Sequence, residues 1–433
     1  MSFLEKSRLR AARALTANIA EHLHGDLSLE LWNKEVLPLG PGARDDVRIV
    51  VRSPNAIRRV LLKPSLATIF ELYAEGELDF SGANPIVAAR RYDHFRSVDL
   101  GKNVNRLLAL RCALPFLLSA PVRSKAVGFA GSVSSRFDQG RDDKGLIQFH
   151  YDVSNAFYAL FLDRQMVYSC GYFPTLETSL DDAQATKLDR ICRKLRLQPG
   201  DRLLDIGCGW GGLLIHAADK YGAQGHGVTL SQAQYDYAVA KIAELGLSDR
   251  IKIEMRDYRA IKTPGGYDKV AQVGMFEHVG LDNHDQHFRH VHKLLRPRGL
   301  YLHHAITRWA TPNLAQFREP TRYQKVISRF IFPGGELDYI GLTATNLERH
   351  GFEVHDVEGM REHYQQTLER WLERLYQNRE VAAAEVGKTT MRLWMLYFSF
   401  FARAFERGTI GIFQTLASKR SVGASGLGLT RVA

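Results

Sequence analysis

A glycine-rich turn at residues 203–212, Leu-Leu-Asp-Ile-Gly-Cys-Gly-Trp-Gly-Gly, carries the first chemistry that the sequence offers. Its apolar start is typical of the end of a buried parallel strand, and its glycines let the backbone approach a ligand where a side chain would clash. Residues 213–221 can form a helix whose amide-rich end faces that ligand. A nucleotide-like cofactor fits this arrangement, although dinucleotide-binding folds and simple tight turns also use glycine clusters.

The residues after the neighbouring strands narrow the choice of nucleotide. A dinucleotide site usually has an acidic residue about 20 positions after its glycines, but residues 227–231, Gly-Val-Thr-Leu-Ser, end the second strand without a carboxylate. A phosphate-binding loop is excluded because no Lys-Ser or Lys-Thr pair follows the glycines. After the third strand, Asp257 and Tyr258 can hydrogen-bond and stack against an adenine. Adenosine without a pyrophosphate fits best, which indicates S-adenosylmethionine.

Alternating strands and helices must position these residues. The hydrophobic pattern predicts strands at 226–229, 251–255, 267–273 and 300–306, and helices at 232–245 and 284–295. Such alternation predicts an α/β fold with a doubly wound, mostly parallel sheet, in which ligands bind at the carboxyl ends of the strands. The glycine turn lies at that end of its strand.

Composition limits the function without choosing it. The 433 residues suffice for two or three domains, and the formal net charge of +11 predicts an anionic partner, either nucleic acid or an anionic lipid surface. No run of about 18 apolar residues occurs and no signal-peptide pattern follows Met1, so we expect a cytoplasmic protein without disulfides.

The chain divides into three predicted parts. Residues 1–103 form a small mixed α+β domain, residues 104–144 a linker helix and flexible connection, and residues 145–433 the catalytic domain. The first 24 residues predict a basic amphipathic helix, for which docking on its own domain is favoured over contact with a membrane. The apolar part of 104–126 is too short and interrupted to span a bilayer, and packing is slightly favoured over lipid contact.

Six motifs occur in one order along the chain. They are residues 149–155 (Phe-His-Tyr-Asp-Val-Ser-Asn), 168–170 (Tyr-Ser-Cys), the glycine turn, 227–231, 276–280 (Phe-Glu-His-Val-Gly) and 330–335 (Phe-Ile-Phe-Pro-Gly-Gly). Together they resemble the cyclopropane-fatty-acyl-phospholipid synthases, from about residue 145 to the end and more weakly over the first 100 residues. The resemblance implies a Rossmann-like class I methyltransferase domain.

The resemblance also implies the reaction and its machinery. In this family an alkene in a phospholipid chain attacks the methyl group of S-adenosylmethionine, and a bound bicarbonate then removes a proton. Matched by motif, the bicarbonate cluster here consists of Cys170, Glu277, His304, the backbone of Ile306 and Tyr364. Without the resemblance, Glu277 is a surface acid, His304 a core histidine and Cys170 a small buried hydrophobe.

The cofactor contacts are carried over from the motifs in the same way. They are Tyr168, Ser169, Asp205, Gly207, Gly209, Gly211, Thr229, Ser231, Gln234, Asp257 and Tyr258. Gln234 is expected to replace the missing acid at the ribose. We further expect a homodimer associated peripherally with the inner face of the membrane.

Several alternatives remain at this point. The same first step can give a methyl-branched or methylene fatty acid instead of a ring. Residues 336–341 depart from the family's Leu-Pro-Ser phrase, which puts the choice of substrate and product in doubt. A nucleic-acid or small-molecule methyltransferase is disfavoured, because the basic residues are spread along the chain and not interleaved with aromatic ones. The histidines at 284, 287, 290 and 292 predict a solvated helix face and not a metal site.

Overall fold

The computed structural model describes residues 1–23, 25–92, 105–118, 128–129, 136–137, 140–151, 153–425, 427 and 429. Contacts between Cα atoms divide the chain into two units. The amino-terminal unit comprises residues 1–128 and 375–403, and the catalytic unit comprises residues 129–374 and 404–433. No helix within the described ranges is long and apolar enough to cross a membrane.

The amino-terminal unit contains a four-stranded sheet of order β2-β1-β3-β4. Its strands are β1 (Leu27–Glu30), β2 (Val36–Pro38), β3 (Arg44–Val51) and β4 (Leu78–Ser81). Its helices before residue 128 are Phe3–Leu23, Pro54–Leu62, Leu66–Ala74, Pro85–Tyr92 and Arg106–Leu117. Local sequence fixes their starts, since Pro54 suits a first helical turn and the Ser65 hydroxyl accepts a hydrogen bond from the backbone N–H of Thr68.

The catalytic unit contains a seven-stranded sheet of order β10-β11-β9-β8-β5-β6-β7. Its strands are β5 (Arg202–Ile206), β6 (Gln224–Thr229), β7 (Ile251–Met255), β8 (Tyr267–Val273), β9 (Leu295–Arg308), β10 (Phe352–Gly359) and β11 (Ile410–Lys419). Strands β5 to β9 run parallel, whereas β11 pairs antiparallel with both β9 and β10. The predicted mostly parallel α/β sheet is confirmed.

Helices connect these strands and cover both faces of the sheet. Among the described residues they are Asp143–Tyr151, Asn155–Ala159, Leu180–Lys194, Gly212–Tyr221, Gln232–Glu244, His284–Leu294, Leu314–Arg318, Arg322–Phe330, Ile340–Arg349 and Arg361–Gln377. The next two helices, Arg379–Val386 and Lys388–Glu406, lie wholly or mostly in the amino-terminal unit. Short 3-10 turns span Tyr258–Ala260, Phe276–His278 and Leu281–Asn283.

The side chains of β9 show how the sheet is buried on both sides. Leu300 and Leu302 belong to one apolar cluster, together with Leu188 and Ile191 of the helix Leu180–Lys194. Tyr301 and Ala305 belong to a cluster on the opposite face. A strand with two buried faces is typical of parallel sheets, and this enclosure fixes the carboxyl ends of the strands as a rigid platform for a site.

Residues 375–403 differ from the predicted division, because they group with the amino-terminal unit and not with the catalytic one. Arg392 shows why. Its guanidinium donates hydrogen bonds to the backbone carbonyls of Tyr73 and Leu78 and pairs with Asp79 at 3.0 Å. Within the predicted linker at 104–144, the helix is Arg106–Leu117, and residues 104, 119–127, 130–135 and 138–139 lie outside the described residues.

Candidate active site

A cleft of about 1100 Å³, including the solvent at its mouth, lies at the carboxyl ends of β5, β6 and β8. The glycine turn forms one wall. Gly207 and Gly209 have φ angles of +79° and +55°, a left-handed region that glycine adopts without steric cost. The helix Gly212–Tyr221 starts directly after the turn, and Gly212 and Leu213 line the cleft, so the free amide groups of its first turn lie beside the cleft.

Most predicted cofactor residues line this cleft. They are Tyr168, Ser169, Asp205, Gly207, Gly209, Thr229, Gln234, Asp257 and Tyr258. Gly211 and Ser231 are not among the lining residues. Gly211 has φ +87° and precedes the helix Gly212–Tyr221, while the Ser231 hydroxyl accepts a hydrogen bond from Gln234 N and caps the next helix. Both residues therefore position the starts of helices next to the cleft without lining it.

Lys187 also lines the cleft, and the motifs did not point to it. Its ammonium donates a hydrogen bond to the Ser169 hydroxyl at 2.9 Å. Burial lowers the pKa of Lys187 to about 8, against the opposing charges of Asp163, Cys170 and Asp205. Burial likewise raises the pKa of Asp205 to about 7, and Lys187 opposes that rise. The available signal was a lysine at helical spacing with the apolar residues Leu180, Ala183 and Ile191, which form the buried face of an amphipathic helix.

The end of the cleft at Asp257 and Tyr258 is held by an ionic and hydrogen-bonded network. Arg259 binds Asp257 and also donates to Asp143 at 2.8 Å. The Tyr258 hydroxyl lies 2.9 Å from Nδ1 of His287. Aspartate and tyrosine are thus pre-oriented on the side where the sequence predicts the adenine.

His287 also corrects the predicted solvated face of the helix His284–Leu294. His284 and His287 are buried, at 5% and 0% exposure. Burial is the largest cause that lowers the pKa of each, so both are neutral imidazoles of the core. The pattern misled because the helix packs its histidines on aromatic rings, as His284 does on Phe276 at 4.4 Å between centroids. Within the described ranges, no group of acidic, cysteine and histidine side chains could hold a metal ion.

Glu277 and His304 form the centre of the second part of the site. Glu277 follows β8, and its Oε1 accepts a hydrogen bond from the backbone N–H of Ile306 at 2.7 Å. Burial raises the pKa of Glu277 to about 7. His304 lies on β9, opposite Val273 of β8, and Val273 lines the cleft. Burial holds the pKa of His304 well below its usual value.

Three buried polar atoms of Glu277 and His304 have no hydrogen-bond partner within the described part of the chain: Oε2 of Glu277 and both ring nitrogens of His304. Unpartnered buried polar groups are rare in folded proteins and call for an explanation. The donors and acceptors fit a small oxyanion such as bicarbonate, which both accepts and donates hydrogen bonds.

Cys170 and Tyr364 reach the same region through one backbone group. The Cys170 thiol and the Tyr364 backbone N–H both donate to the carbonyl of Met360, at 3.8 and 3.1 Å. Met360 N in turn donates to Ile412 O, and Ile412 is directly opposite Ile306 in the β11–β9 pair. These contacts link Cys170 and Tyr364 to the β11–β9 pair through the backbone of Met360. The bicarbonate cluster as a whole stays a prediction.

The other motifs converge on Glu277 as well. The backbone N–H of Glu336 donates to the carbonyl of Glu277 at 2.9 Å. Phe332 stacks on His278 with ring centroids 4.3 Å apart, and Nδ1 of His150 lies 2.8 Å from the carbonyl of Ile331. Residues 149–151, 276–280 and 330–336 therefore form one wall beside the cofactor cleft.

Asp338, in the segment that departs from the family's phrase, is a second buried acid near Glu277. It is 1% exposed, and its side chain accepts a hydrogen bond from Thr343. Burial raises the pKa of Asp338 to about 7, and the charge of Glu277 adds to that rise. Nothing in the sequence pattern indicated that this acid lies beside β9.

The fold and the cleft define the class of protein. A glycine turn after the first strand of a seven-stranded, mostly parallel sheet, with its cleft at the strand ends, is the arrangement of class I S-adenosylmethionine-dependent methyltransferases. A family model described as mycolic acid cyclopropane synthetase matches residues 139–415, and the chain belongs to this family. The resemblance seen in the sequence is thereby confirmed, and the chain is a methyltransferase of the cyclopropane synthase family.

Named relatives support this assignment. A "Probable fatty acid methyltransferase" of Pseudomonas putida is 37% identical over 399 residues, which cover 92% of this chain and 93% of the relative. "Cyclopropane mycolic acid synthase 1" of Mycobacterium tuberculosis is 33% identical over 278 residues, which cover 63% of this chain and 96% of the relative. The crystal structure of the mycolic acid cyclopropane synthase CmaA1 complexed with SAH and CTAB matches with a TM-score of 0.61 and 32% identity. The matched region covers 65% of the present chain and 100% of the CmaA1 chain. The SAH bound to CmaA1 supports the predicted cofactor.

The buried carboxyl of Glu277 makes stability depend on pH. Its pKa rises from 4.5 in the unfolded chain to about 7 in the folded one, so the folded protein keeps a proton that the unfolded chain loses. The stabilisation by this extra bound proton is complete below pH 4.5 and is lost as the pH rises to about 7. Over that range the free energy of unfolding falls by up to about 1.4 kcal/mol per pH unit. We expect Glu277→Gln to flatten the decrease of the free energy of unfolding, measured by urea titration across this range. Equal slopes in both proteins would contradict the assignment.

Proposed function

We propose that this chain transfers the methyl group of S-adenosylmethionine to a double bond of an unsaturated phospholipid acyl chain and that loss of a proton closes a cyclopropane ring. The observation that carries the proposal is the buried pair of Glu277 and His304, with its unpartnered polar atoms, one strand away from the cofactor cleft. The membership of the chain in the cyclopropane synthase family supports the same reaction.

The reaction requires a site that excludes water, and its first step, methyl transfer to the alkene, requires no strong base. An isolated alkene is a weak nucleophile without an acidic proton. The protein must hold it close to the sulfonium methyl and exclude water, because the carbocation formed by methyl transfer would otherwise be quenched. One proton then leaves the transferred carbon, and the electron pair of that C–H bond closes the ring.

The proton acceptor is proposed to be bicarbonate, which supplies a base of moderate strength when it is bound. His304 and the thiol of Cys170 can donate hydrogen bonds to it, as can the Tyr364 hydroxyl. Glu277 accepts a hydrogen bond from the backbone N–H of Ile306 with one carboxyl oxygen, and its other oxygen is buried without a partner among the described residues. In this scheme Glu277 orients the anion or receives its proton, and a pKa of about 7 suits both tasks.

Aromatic rings beside the cleft suit a positively charged transition state. The rings of Tyr168 and Trp371 lie 5.0 Å apart, and Tyr158 lies 5.4 Å from Tyr168. Aromatic faces attract cations by their quadrupoles. Tyr168 itself lines the cofactor cleft.

The amino-terminal unit offers a surface for the proposed lipid substrate. On the helix Arg106–Leu117, Cys112 and Phe116 are buried against the first helix of the chain. Leu107, Leu110 and Leu114 lie on the other side, at 68%, 68% and 63% exposure. Exposed leucines in a chain of net charge +11 favour peripheral binding to an anionic membrane. We propose that the enzyme acts there, at the inner face, as a homodimer.

A second product class remains a candidate. The relative from Pseudomonas putida carries the name of a fatty acid methyltransferase, and residues 336–341 depart from the synthase phrase and place Asp338 near Glu277. If the proton left from a carbon of the acyl chain, the same methyl transfer would give a methyl-branched unsaturated fatty acid, which a separate reductase could saturate. If a hydride first moved from the methylated carbon to the cationic one, loss of a proton from the transferred carbon would give a methylene fatty acid.

Methyl-labelled S-adenosylmethionine and vesicles of monounsaturated phospholipid test the proposal. We expect label in the acyl chains of these vesicles and none in vesicles of saturated phospholipid, because only the alkene is a nucleophile. Label in added RNA or in a water-soluble product, with none in lipid, would overturn the lipid assignment.

A further inference from the structure

Gln414 is the direct neighbour of His304 across the β11–β9 pair. The two residues are opposite each other in an antiparallel ladder, so their side chains lie on the same face with Cβ atoms about 5 Å apart. Both are enclosed, with exposures of 1% for Gln414 and 0% for His304. At this distance the carboxamide of Gln414 can contact a small ligand that also contacts the imidazole of His304.

The surroundings of this pair are apolar. Leu302 and Leu416, two residues along each strand, point to the same face and belong to the cluster under the helix Leu180–Lys194. The row continues to Val273, which is opposite His304 on β8 and lines the cofactor cleft. Gln414 is therefore a polar side chain placed within a hydrophobic layer, two strands from the cleft.

Four polar atoms of the pair have no hydrogen-bond partner among the residues that the structure describes: Oε1 and Nε2 of Gln414, and Nδ1 and Nε2 of His304. Each unmet group of this kind destabilises the folded protein. If the two side chains had only a structural role, we would expect them to hydrogen-bond to each other or to neighbouring groups. A shared polar ligand would satisfy both side chains.

We infer that Gln414 is a further ligand of the anion that His304 and Glu277 hold, and this inference rests on the proposed role of bicarbonate. The carboxamide offers an N–H donor and a carbonyl acceptor. Bicarbonate presents the complement, an anionic oxygen and a hydroxyl group. Gln414 thereby favours an oxyanion that still carries its proton over one that has none to donate.

Binding can be measured without turnover. Thermal unfolding of the full chain is followed at rising bicarbonate, with chloride at matched ionic strength as the reference, since a ligand that binds the folded state raises the midpoint. In Gln414→Met, which keeps an unbranched side chain of similar length, we expect the bicarbonate concentration for half-maximal stabilisation to rise by about tenfold or more. Gln414→Glu should abolish the response, because it keeps the shape and adds a like charge.

Thr415→Val is the matched control. The Thr415 hydroxyl is also buried and unpartnered, but it lies opposite His303 on the other face of the sheet. This variant should respond to bicarbonate as the wild type does, and all three variants should keep their affinity for S-adenosylmethionine. A wild-type response retained in both Gln414 variants would overturn the inference alone. A wild type that does not respond would overturn the bicarbonate proposal together with it.

Discussion

Glu277→Gln should bind S-adenosylmethionine normally and lose turnover. Glutamine keeps the size of the side chain and can still accept the hydrogen bond from Ile306 N, but it can neither carry a charge nor take a proton. General acid–base groups contribute about 100-fold to 10,000-fold to a rate, so we expect kcat with phospholipid vesicles to fall by at least about 100-fold. Cofactor affinity should persist because Glu277 is not among the residues that line the cleft.

Glu336→Gln is the control for this variant. Glu336 lies on the adjoining loop, and its carboxylate accepts a hydrogen bond from the backbone N–H of Leu281 at 2.7 Å. It has no place in the proposed chemistry, so its rate should stay close to that of the wild type. Turnover at the wild-type rate in Glu277→Gln would remove Glu277 from the mechanism.

Gly209→Ala should impair cofactor binding specifically. A Cβ at Gly209 meets no protein atom within 4 Å, but Gly209 lines the cleft. The added methyl group therefore projects into the space proposed for the cofactor. We expect the dissociation constant for S-adenosylmethionine, measured by calorimetry, to rise by about tenfold or more, because a wall atom is placed where a packed ligand should lie.

Gly200→Ala separates this effect from backbone strain. Gly200 also has a positive φ, +84°, and a Cβ there meets nothing within 4 Å, yet Gly200 is not among the cleft residues. Both variants should lose on the order of 1 kcal/mol of stability, since alanine is strained at positive φ. Only Gly209→Ala should lose cofactor affinity. Equal affinities in the two variants would contradict the placement of the cofactor at the glycine turn.

The parts of the fold that local patterns determine were predictable. The strand at 251–255 and the strand at 267–273 match β7 and β8 residue for residue. Buried parallel strands are short apolar runs bounded by turns, so each can be recognised alone. β10 and β11 were not predicted, because they are stabilised by antiparallel pairing between segments that are far apart in the chain.

The site divides in the same way. The glycine turn and Asp257 follow from strand order, since residues at the carboxyl ends of parallel strands must meet. Cys170 and Tyr364 could be assigned only through family motifs. Both donate hydrogen bonds to the carbonyl of Met360, and no local pattern in the sequence predicts contacts between such distant segments. Lys187 and Gln414 were not predicted as site residues. Their burial, on a helix and on β11 respectively, becomes visible only in the folded chain.

The most direct test of the reaction uses S-adenosylmethionine with a fully deuterated methyl group and monounsaturated phospholipid vesicles. Ring closure removes one of the three deuterons, so the acyl chain should gain a CD2 group and lose its alkene signals in the NMR spectrum. Retention of all three deuterons as a methyl branch, or persistence of alkene signals in the labelled chain, would contradict cyclopropane formation.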